Sequence, residues 1–578
     1  MRKKVIINGV KTIKESFDLT TRTFPNKVGF LEKRPGKEEF RNITYKEFRE
    51  DVVKIGTALI KDLDLLGKRI AIIGENSYEW AVSYYAVTCG AGVVVPLDKE
   101  LPEAEIVNLI KRSKSEAIFY STRKRDLINN IKEQVPELKY YIELYSDENK
   151  EENKFLTEND YTFDKLLEMG KDNDEKILLD VPIDPDEFRI LLFTSGTTAE
   201  SKGVMLSNRN IITNMEAGLS LVTLYEDDRF FSVLPLHHSY ESSIGMILPI
   251  YCGISIAYAG GLKSIAKDLV ETKPSVMLVV PALIENLLKK VNKTIEKQGK
   301  TETVNKMIKI TNSLGPIGRS LKRVVFKKIL AALGGRVRLI VSAAAPIDPV
   351  IGREIEDLGM MFVQGYGLTE TAPLSTLVPD NDRNPASVGV AGNACEVKIN
   401  NPNEEGIGEV FVKGDNVALG YYENEEATKE SFTDGWFHTG DLGYIDKKGH
   451  LYLTGRCKNL IITGNGKNVF PEEIEPLINK IPEVNESLVY QKKNPKDENE
   501  DIIAVKVTLD QAYLEEKYGK DNIPSDEELY NIIWNQIKEV NKTLSSYKWI
   551  KDLEIKKEDF IKTTTMKIKR YQELKDNK

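Results

Sequence analysis

The stretch Arg69–Asp98, RIAIIGENSYEWAVSYYAVTCGAGVVVPLD, decides the fold class. RIAIIGE has the length and residue types of a strand, YEWAVSYYAVTCGAG is an apolar helix running into glycines, and VVVPLD is a strand again. Strand, helix, strand in this order predicts parallel strands joined by crossover helices. Upstream, YKEFREDVVKIGTALI (Tyr45–Ile60) has helical spacing, and downstream EAEIVNLIKRS is a further helix. The rhythm returns in RFFSVLPL, SVMLVVPALIENLLKK and VRLIVSAAAP. Between the last two, residues 284–333 read as a Lys-rich, exposed helical insert. From about Ser387 the pattern shortens to VGVAGNACEVKI, GEVFVKG and HLYLTG, a small antiparallel β unit. An α+β segment follows from Arg456. Asp147–Asp174, rich in Asp, Glu, Asn and Lys, is expected to be a surface excursion.

At 578 residues the chain exceeds one core, and roughly 150 residues per domain predicts about three or four subdomains. Hydrophobic residues at 41% and charged residues at 29% are the balance of a globular protein. A net charge of −8 argues against broad nucleic-acid binding; the basic run from Lys562 to Lys578 reads as a solvated tail. Four scattered cysteines with no C-x-x-C pair suit a reducing compartment and offer no metal framework. The N-terminal MRKKVIINGV is too short in apolar residues for a signal peptide, so the expected localisation is cytoplasmic. Ser242–Leu262 is free of charge, but Pro249 and Gly253 divide it, and it reads as buried core containing a strand, ISIAY.

The chemistry begins at Thr194–Leu206, TSGTTAESKGVML, directly after the apolar run FRILLF. Thr194, Ser195, Thr197 and Thr198, with Gly196, can wrap phosphate oxygens with hydroxyls and backbone N–H groups, and Lys202 adds a cation. No Gly-Lys-Ser/Thr follows, so this is not the common nucleotide-triphosphatase loop. YGLTET (Tyr366–Thr371) places a ring, a hydroxyl and a carboxylate together. HTGDLGYID (His438–Asp446) offers Asp441 in a tight glycine-flanked turn, suited to gripping two ribose hydroxyls. GRCKNLIITGNGKNVFPEEIE (Gly455–Glu475) brings Arg456, a glycine turn and a helix start, and KTTTMKIKR (Lys562–Arg570) projects lysines from a hydroxyl-rich strand or loop. His237 and His238 lack a third ligand at zinc spacing.

These stretches, in this order, resemble the AMP-forming acyl-adenylate enzymes: acyl-CoA synthetases, luciferases and peptide-synthetase adenylation domains. The likeness runs from about residue 20 to residue 571, and GEVFVKGDNVALGYYENEEATKESFTDGWFHTGDLGYID is its most specific part. Bacterial long-chain fatty acid–CoA ligases resemble the chain most. The resemblance implies an α/β multidomain fold: two α/β subdomains and a small β-barrel in an N-terminal region, 1–455, then a small mobile α+β domain, 456–578, with Lys458 at the hinge. It implies ATP, Mg2+ and coenzyme A, with a fatty acid activated as its adenylate and pyrophosphate released. In that scheme the loop holds the β- and γ-phosphates, and Glu370 holds Mg2+ with Thr194 or Thr197. Tyr366 lies against adenine with Ala344, Gly367 and Thr369 nearby; Asp441 takes the ribose hydroxyls, supported by Arg456. Lys567 is the adenylation lysine, with Lys569 the alternative. His238, rather than His237, stands beside the reacting carboxylate, Tyr240 and Gly245 line the acyl site, and the turn bearing Gly464 and Gly466 faces coenzyme A.

The chain departs from that pattern at Ala199 and Ser201, where the family carries glycine and proline, and at Met566, where it carries glycine. Loading of an acyl carrier protein through the same adenylate is the competing reading. An amino-acid substrate fits less well, because Leu236 stands about where such domains place an aspartate. A charge-free stretch after the reacting site and the helical insert lead us to expect medium- to long-chain acids. A monomer or homodimer, and peripheral contact at the inner membrane face, are further expectations.

Overall fold

The computed structural model describes residues 2–5, 7, 9–34, 37–145, 158–194, 201–463, 467–494, 497–563 and 567–575. Lys68–Ile73 and Gly92–Leu97 are parallel neighbours, registered Lys68 to Gly92 through Ile73 to Leu97. The helix Tyr78–Ala86 makes the crossover between them, as the reading of Arg69–Asp98 requires. Ser77 starts it by accepting a hydrogen bond from the Trp80 amide at 3.1 Å. Every residue of this helix is buried, which accounts for its lack of a polar face.

These strands belong to an eight-stranded sheet, ordered Gly420–Tyr421, Lys202–Ser207, Phe188–Thr194, Gly92–Leu97, Lys68–Ile73, Ala117–Tyr120, Tyr140–Glu143, Asp160–Thr162. Phe188–Thr194 through Asp160–Thr162 run parallel, and Lys202–Ser207 returns antiparallel to Phe188–Thr194. A nine-stranded sheet is ordered Val390–Ala391, Thr376–Leu377, Met361–Tyr366, Leu339–Ser342, Val276–Val279, Arg229–Ser232, Ser255–Tyr258, Val28–Glu32, Arg41–Thr44. Its six strands from Met361–Tyr366 to Val28–Glu32 are parallel. One large core, including Phe17, Phe30, Phe48, Trp80 and Tyr85, is shared by residues of both sheets. The charge-free segment is largely buried as far as Tyr258, while residues 260–262 are exposed: Tyr240–Ile247 is a π-helix, Leu248–Tyr251 an α-helix and Ser255–Tyr258 a strand. Among the described residues no helix is long and apolar enough to cross a membrane.

Chain contacts divide the protein into two units, one reaching to Val397 and including Val412–Phe437, the other comprising Lys398–Phe411 and His438–Lys578. The second contains a three-stranded sheet, Val484–Asn494, Asp497–Leu509 and Ile550–Lys556, with one antiparallel and one parallel pairing. Helices Pro471–Ile478 and Asp526–Thr543 bury Ile474, Ile478, Ile533 and Ile537 in the core of that unit. The fold is α/β multidomain with a small α+β C-terminal domain. A five-stranded sheet built on Cys395–Asn400, Gly408–Gly414, Trp436–Ile445 and Leu451–Arg456 stands where the sequence predicts a small β unit.

Two expectations are corrected. Within Asp147–Asp174, Asp160–Thr162 is an edge strand and Phe163–Met169 a helix. Lys132 holds Asp160 at 2.6 Å while Phe163 and Leu166 are buried, so a polar-looking segment is tied to the sheet. The glycine-flanked turn at Asp441 is instead part of the ten-residue strand Trp436–Ile445. Gly440, at φ +69°, and a register shift between Leu442 and Gly443 bend the strand without ending it.

Candidate active site

The antiparallel return from Phe188–Thr194 into Lys202–Ser207 brings Thr194 opposite Lys202 at the two ends of the hydroxyl-rich loop. Thr194 donates its hydroxyl to the Lys202 carbonyl at 3.4 Å. Ser195, Gly196, Thr197, Thr198 and Ala199 lie outside the described residues. The ammonium of Lys202 sits 4.4 Å from the ring centre of Tyr421, the edge-strand residue paired with Val204. Tyr421 donates its hydroxyl to Oε1 of Glu370 at 2.9 Å. Burial first, and the Glu370 charge second, raise the Tyr421 phenol and keep it a donor. Thr194, Lys202, Tyr421 and Glu370 thus form one connected set. Tyr421 is the member the sequence reading missed; only its place in ALGYYENEE hinted at it.

Glu370 is buried in the short 3-10 turn Thr369–Thr371 that follows Met361–Tyr366. Gly367 between them has no room for a side chain: a Cβ there would lie 1.7 Å from the Pro373 carbonyl oxygen. Asn214 clamps the same turn, donating to the Thr371 carbonyl at 2.9 Å and accepting from the Leu374 amide at 2.8 Å. Tyr366 is buried at the strand end, and the Thr369 hydroxyl lies 3.5 Å from that of Ser239. Ala344, just beyond the strand Leu339–Ser342, takes φ +75°, a left-handed conformation that alanine rarely adopts.

His238 stands at the head of the buried apolar segment. Its Nδ1 accepts from the Tyr240 amide at 3.3 Å, which leaves Nε2 to carry the proton of the neutral ring. His237 differs: burial lowers its pKa, opposed by Asp98 at 3.7 Å. Tyr240 is buried and donates to the Val341 carbonyl at 2.9 Å. The next residue, Glu241, is fully buried, with neither carboxyl oxygen in hydrogen-bond geometry with a partner. Ser232 is close enough to favour its charged form, but burial dominates and pushes the carboxyl up to about 8. A Cβ on Gly245 would lie 2.6 Å from the Glu241 carboxyl carbon, so the glycine makes room for this side chain.

In the second unit Asp441 and Arg456 face each other across the Trp436–Ile445 and Leu451–Arg456 pair. Arg456 Nε reaches Asp441 Oδ1 at 2.7 Å, and the carboxylate is buried. Lys567 lies in a short hairpin: the Thr563 amide donates to its carbonyl at 2.8 Å, and the Lys562–Ile568 bridge closes the pair. The residue keeps accessible surface, yet protein atoms surround its ammonium. Desolvation, then the neighbouring Arg456 cation, lower it to about 8 against the pull of Asp441. Lys458 is exposed in the 3-10 turn Cys457–Asn459, directly after Arg456. Gly464, Gly466 and Met566 lie outside the described residues.

The AMP-binding enzyme family matches residues 17–422, well over half the chain. The chain belongs to that family. Among AMP-binding relatives, Long-chain-fatty-acid–CoA ligase FadD15 of Mycobacterium bovis is 27% identical over 539 residues, covering 87% of this chain and 86% of its own. Long-chain-fatty-acid–CoA ligase 5 of Rattus norvegicus is 29% identical over 469 residues, covering 76% and 68%. The crystal structure of the anthranilate CoA ligase AuaEII in complex with anthranoyl-AMP superposes with a TM-score of 0.76 at 19% identity, covering 98% of this chain and 97% of that one. At that identity the AMP-binding fold is what the two share.

Proposed function

We propose that the chain is an ATP-dependent ligase that converts a medium- to long-chain fatty acid to acyl-CoA through an acyl-adenylate, releasing AMP and pyrophosphate. The observation that carries this reading is that relatives named for long-chain fatty acid–CoA ligation align over three quarters or more of the chain. A carboxylate is a poor acyl donor until it is joined to AMP as a mixed anhydride, which coenzyme A can then attack. Charge builds on the α-phosphoryl oxygens as the carboxylate adds, and fixed cations and donors stabilise it.

The donor set fits Mg2+. Among the described residues no cluster of three metal-ligating side chains occurs, but Mg2+ bound to a nucleotide keeps waters and phosphate oxygens and needs only one or two carboxylates. Glu370, with Thr194 or Thr197, would hold it, and when bound it neutralises phosphate charge. The loop residues Ser195, Gly196, Thr197 and Thr198, with Lys202, take the β- and γ-phosphates, and Lys202 is kept on the phosphate side by the Tyr421 ring. Tyr366, Ala344, Gly367 and Thr369 form the adenine wall. Asp441 accepts the ribose hydroxyls and Arg456 holds it as an acceptor. Lys567 meets the α-phosphate, and His238 orients the fatty carboxylate through Nε2. Gly464 and Gly466 serve the coenzyme A side. The functional boundary falls at 455/456, with Lys458 as hinge.

After His238 the chain is apolar, and Tyr240, Met246, Ile247, Leu248 and Ile250 are buried. A fatty tail has no polar handle, so its affinity comes from burial at ~0.8 kcal/mol per methylene, about 10 kcal/mol gross for a sixteen-carbon acid. Pyrophosphate release measured on acids from acetate to oleate tests the reading. We expect kcat/KM to peak between about ten and eighteen carbons. A maximum on acetate or on an aromatic acid would end the long-chain assignment and leave the adenylate chemistry standing.

A further inference from the structure

The loop that carries His237 and His238 is held by side chains from the other large sheet. Residues 233–239 leave the strand Arg229–Ser232 of the nine-stranded sheet and enter the π-helix Tyr240–Ile247. Within the loop the His238 amide donates to the Pro235 carbonyl at 3.1 Å. Asn76 reaches it from the eight-stranded sheet, three residues beyond the strand Lys68–Ile73. Its Nδ2 donates to the Leu234 carbonyl at 2.7 Å and to the Ser232 hydroxyl at 3.1 Å. Its Oδ1 accepts from the Leu236 amide at 3.0 Å. These partners fix which way the side-chain amide points, because a carbonyl can only accept and a backbone amide can only donate. Asp98, directly after the neighbouring parallel strand Gly92–Leu97, lies 3.7 Å from His237 Nε2. The carboxyl ends of two adjacent strands therefore grip one loop.

Asn76 has a rigid base. The next residue, Ser77, caps the fully buried helix Tyr78–Ala86. Two residues before it, Gly74 packs so closely that a Cβ would lie 3.0 Å from that of Ser121. The hold also extends past His238. The Ser232 hydroxyl that receives Asn76 is the group beside the buried Glu241, and the Glu241 amide donates to the His238 carbonyl at 3.0 Å. His238 is thus fixed from both directions along the chain, at Leu236 before it and at Glu241 after it.

We propose that Asn76 is a positioning residue for adenylate formation: by fixing Ser232, Leu234 and Leu236 it sets where His238 meets the fatty carboxylate. The proposal rests on the role read above for His238. Asn76 acts through the loop and not on the reacting atoms. A group displaced by about 1 Å from its working position can cost on the order of a hundredfold in rate, so a side chain that places a loop bearing such a group has leverage far beyond its own hydrogen bonds.

The test is a double-substitution cycle on the full-length protein, read by pyrophosphate release with the best acid of the series from acetate to oleate. Asn76→Ala lowers kcat/KM for the acid roughly 10- to 100-fold and leaves the KM for ATP at its native value. In a His238→Ala background the same substitution costs less than about threefold, because the group it positions is already gone. Should the alanine variant fail to fold, Asn76→Asp repeats the cycle: it keeps the shape and the acceptor for Leu236 but loses both donations and sets a carboxylate against the Leu234 carbonyl. Hydrogen exchange supplies a readout that needs no turnover. Exchange in residues 233–239 rises roughly fivefold in Asn76→Ala, while the helix Tyr78–Ala86 keeps its native protection. Native kinetics in the Asn76 variants overturn the proposal. A loss that persists undiminished without His238 overturns it too and makes Asn76 part of the scaffold alone. Native chain that releases pyrophosphate with no acid ends the functional reading instead, and unchanged exchange in residues 233–239 ends the Asn76 hold whichever acid is activated.

Discussion

Two titratable groups with shifted pKa values carry most of what the site predicts at the level of single residues. Lys567 has its pKa lowered to about 8, so its cation is present below that pH and lost above it. If this cation stabilises the α-phosphoryl charge, pyrophosphate release falls as pH rises through about 8, and Lys567→Ala removes roughly 10²- to 10³-fold of the rate at pH 7. Thioester formation from supplied acyl-adenylate stays close to normal in that variant. Pyrophosphate release that survives the change would move the role to Lys569. Glu241 works in the opposite sense. Its folded carboxyl titrates near 8 and its unfolded one near 4.5. Between those values the unfolded chain has shed its proton while the folded one keeps it, so stability declines from pH 4.5 to 8 and is level above. Glu241→Gln cannot ionise, and its advantage over the native chain grows across that window to on the order of 5 kcal/mol. Melting curves at pH 5 and pH 8 decide it, and an equal pH dependence in both proteins would refute the buried neutral carboxyl. The types of the chemical residues were legible in the sequence because glycine, hydroxyl and charge sit in short runs. Tyr421 and Glu241 were not, because their meaning comes from partners dozens of residues away or from burial.

Single elements were legible to the degree that their pattern was local. Tyr78–Ala86 follows from its Ser77 cap, and Glu103–Ser113 from its amphipathic spacing. Asp160–Thr162 does not, since a three-residue edge strand owes its existence to its neighbour Tyr140–Glu143 and to the Lys132 ion pair. Asp441 shows the converse: two glycines suggest a turn, but ladder pairing to Leu451–Arg456 keeps the strand continuous through them. The same pairing is the reason Arg456 lies opposite Asp441, a contact that no spacing in the sequence encodes. The 3-10 turn Cys457–Asn459 follows at once. A proline at its centre fixes φ near −65° and removes one amide. With Lys458 as hinge, Lys458→Pro leaves adenylate formation close to native and slows the transfer to coenzyme A, because conformational steps rather than chemistry then limit turnover. Single-turnover measurement of both half-reactions is the check; equal native rates in both place the hinge elsewhere.

At the scale of the whole chain, the α/β class could be read from one thirty-residue stretch, whereas the order of strands within the sheets could not. The sheets are nested in sequence. Val28–Glu32 and Arg41–Thr44 belong to the nine-stranded sheet, yet the chain then leaves to build seven strands of the eight-stranded one before returning. Nothing in a hydrophobic pattern distinguishes a strand that pairs with its successor from one that waits. Val28–Glu32 waits for Ser255–Tyr258, its parallel neighbour, more than 200 residues later. On a ribosome moving at about 5–20 residues per second, that neighbour emerges roughly 10–40 s after the first hairpin. Throughout that interval Phe30 and Leu31, both buried in the finished protein, lack the strand that covers them. Seven of the eight strands of the other sheet are complete by Ser207, so the part of the molecule that is inner in sequence can assemble first. Birth order and strand order therefore run against each other here, and the early hairpin is the segment of this chain that most needs a chaperone's cover during synthesis.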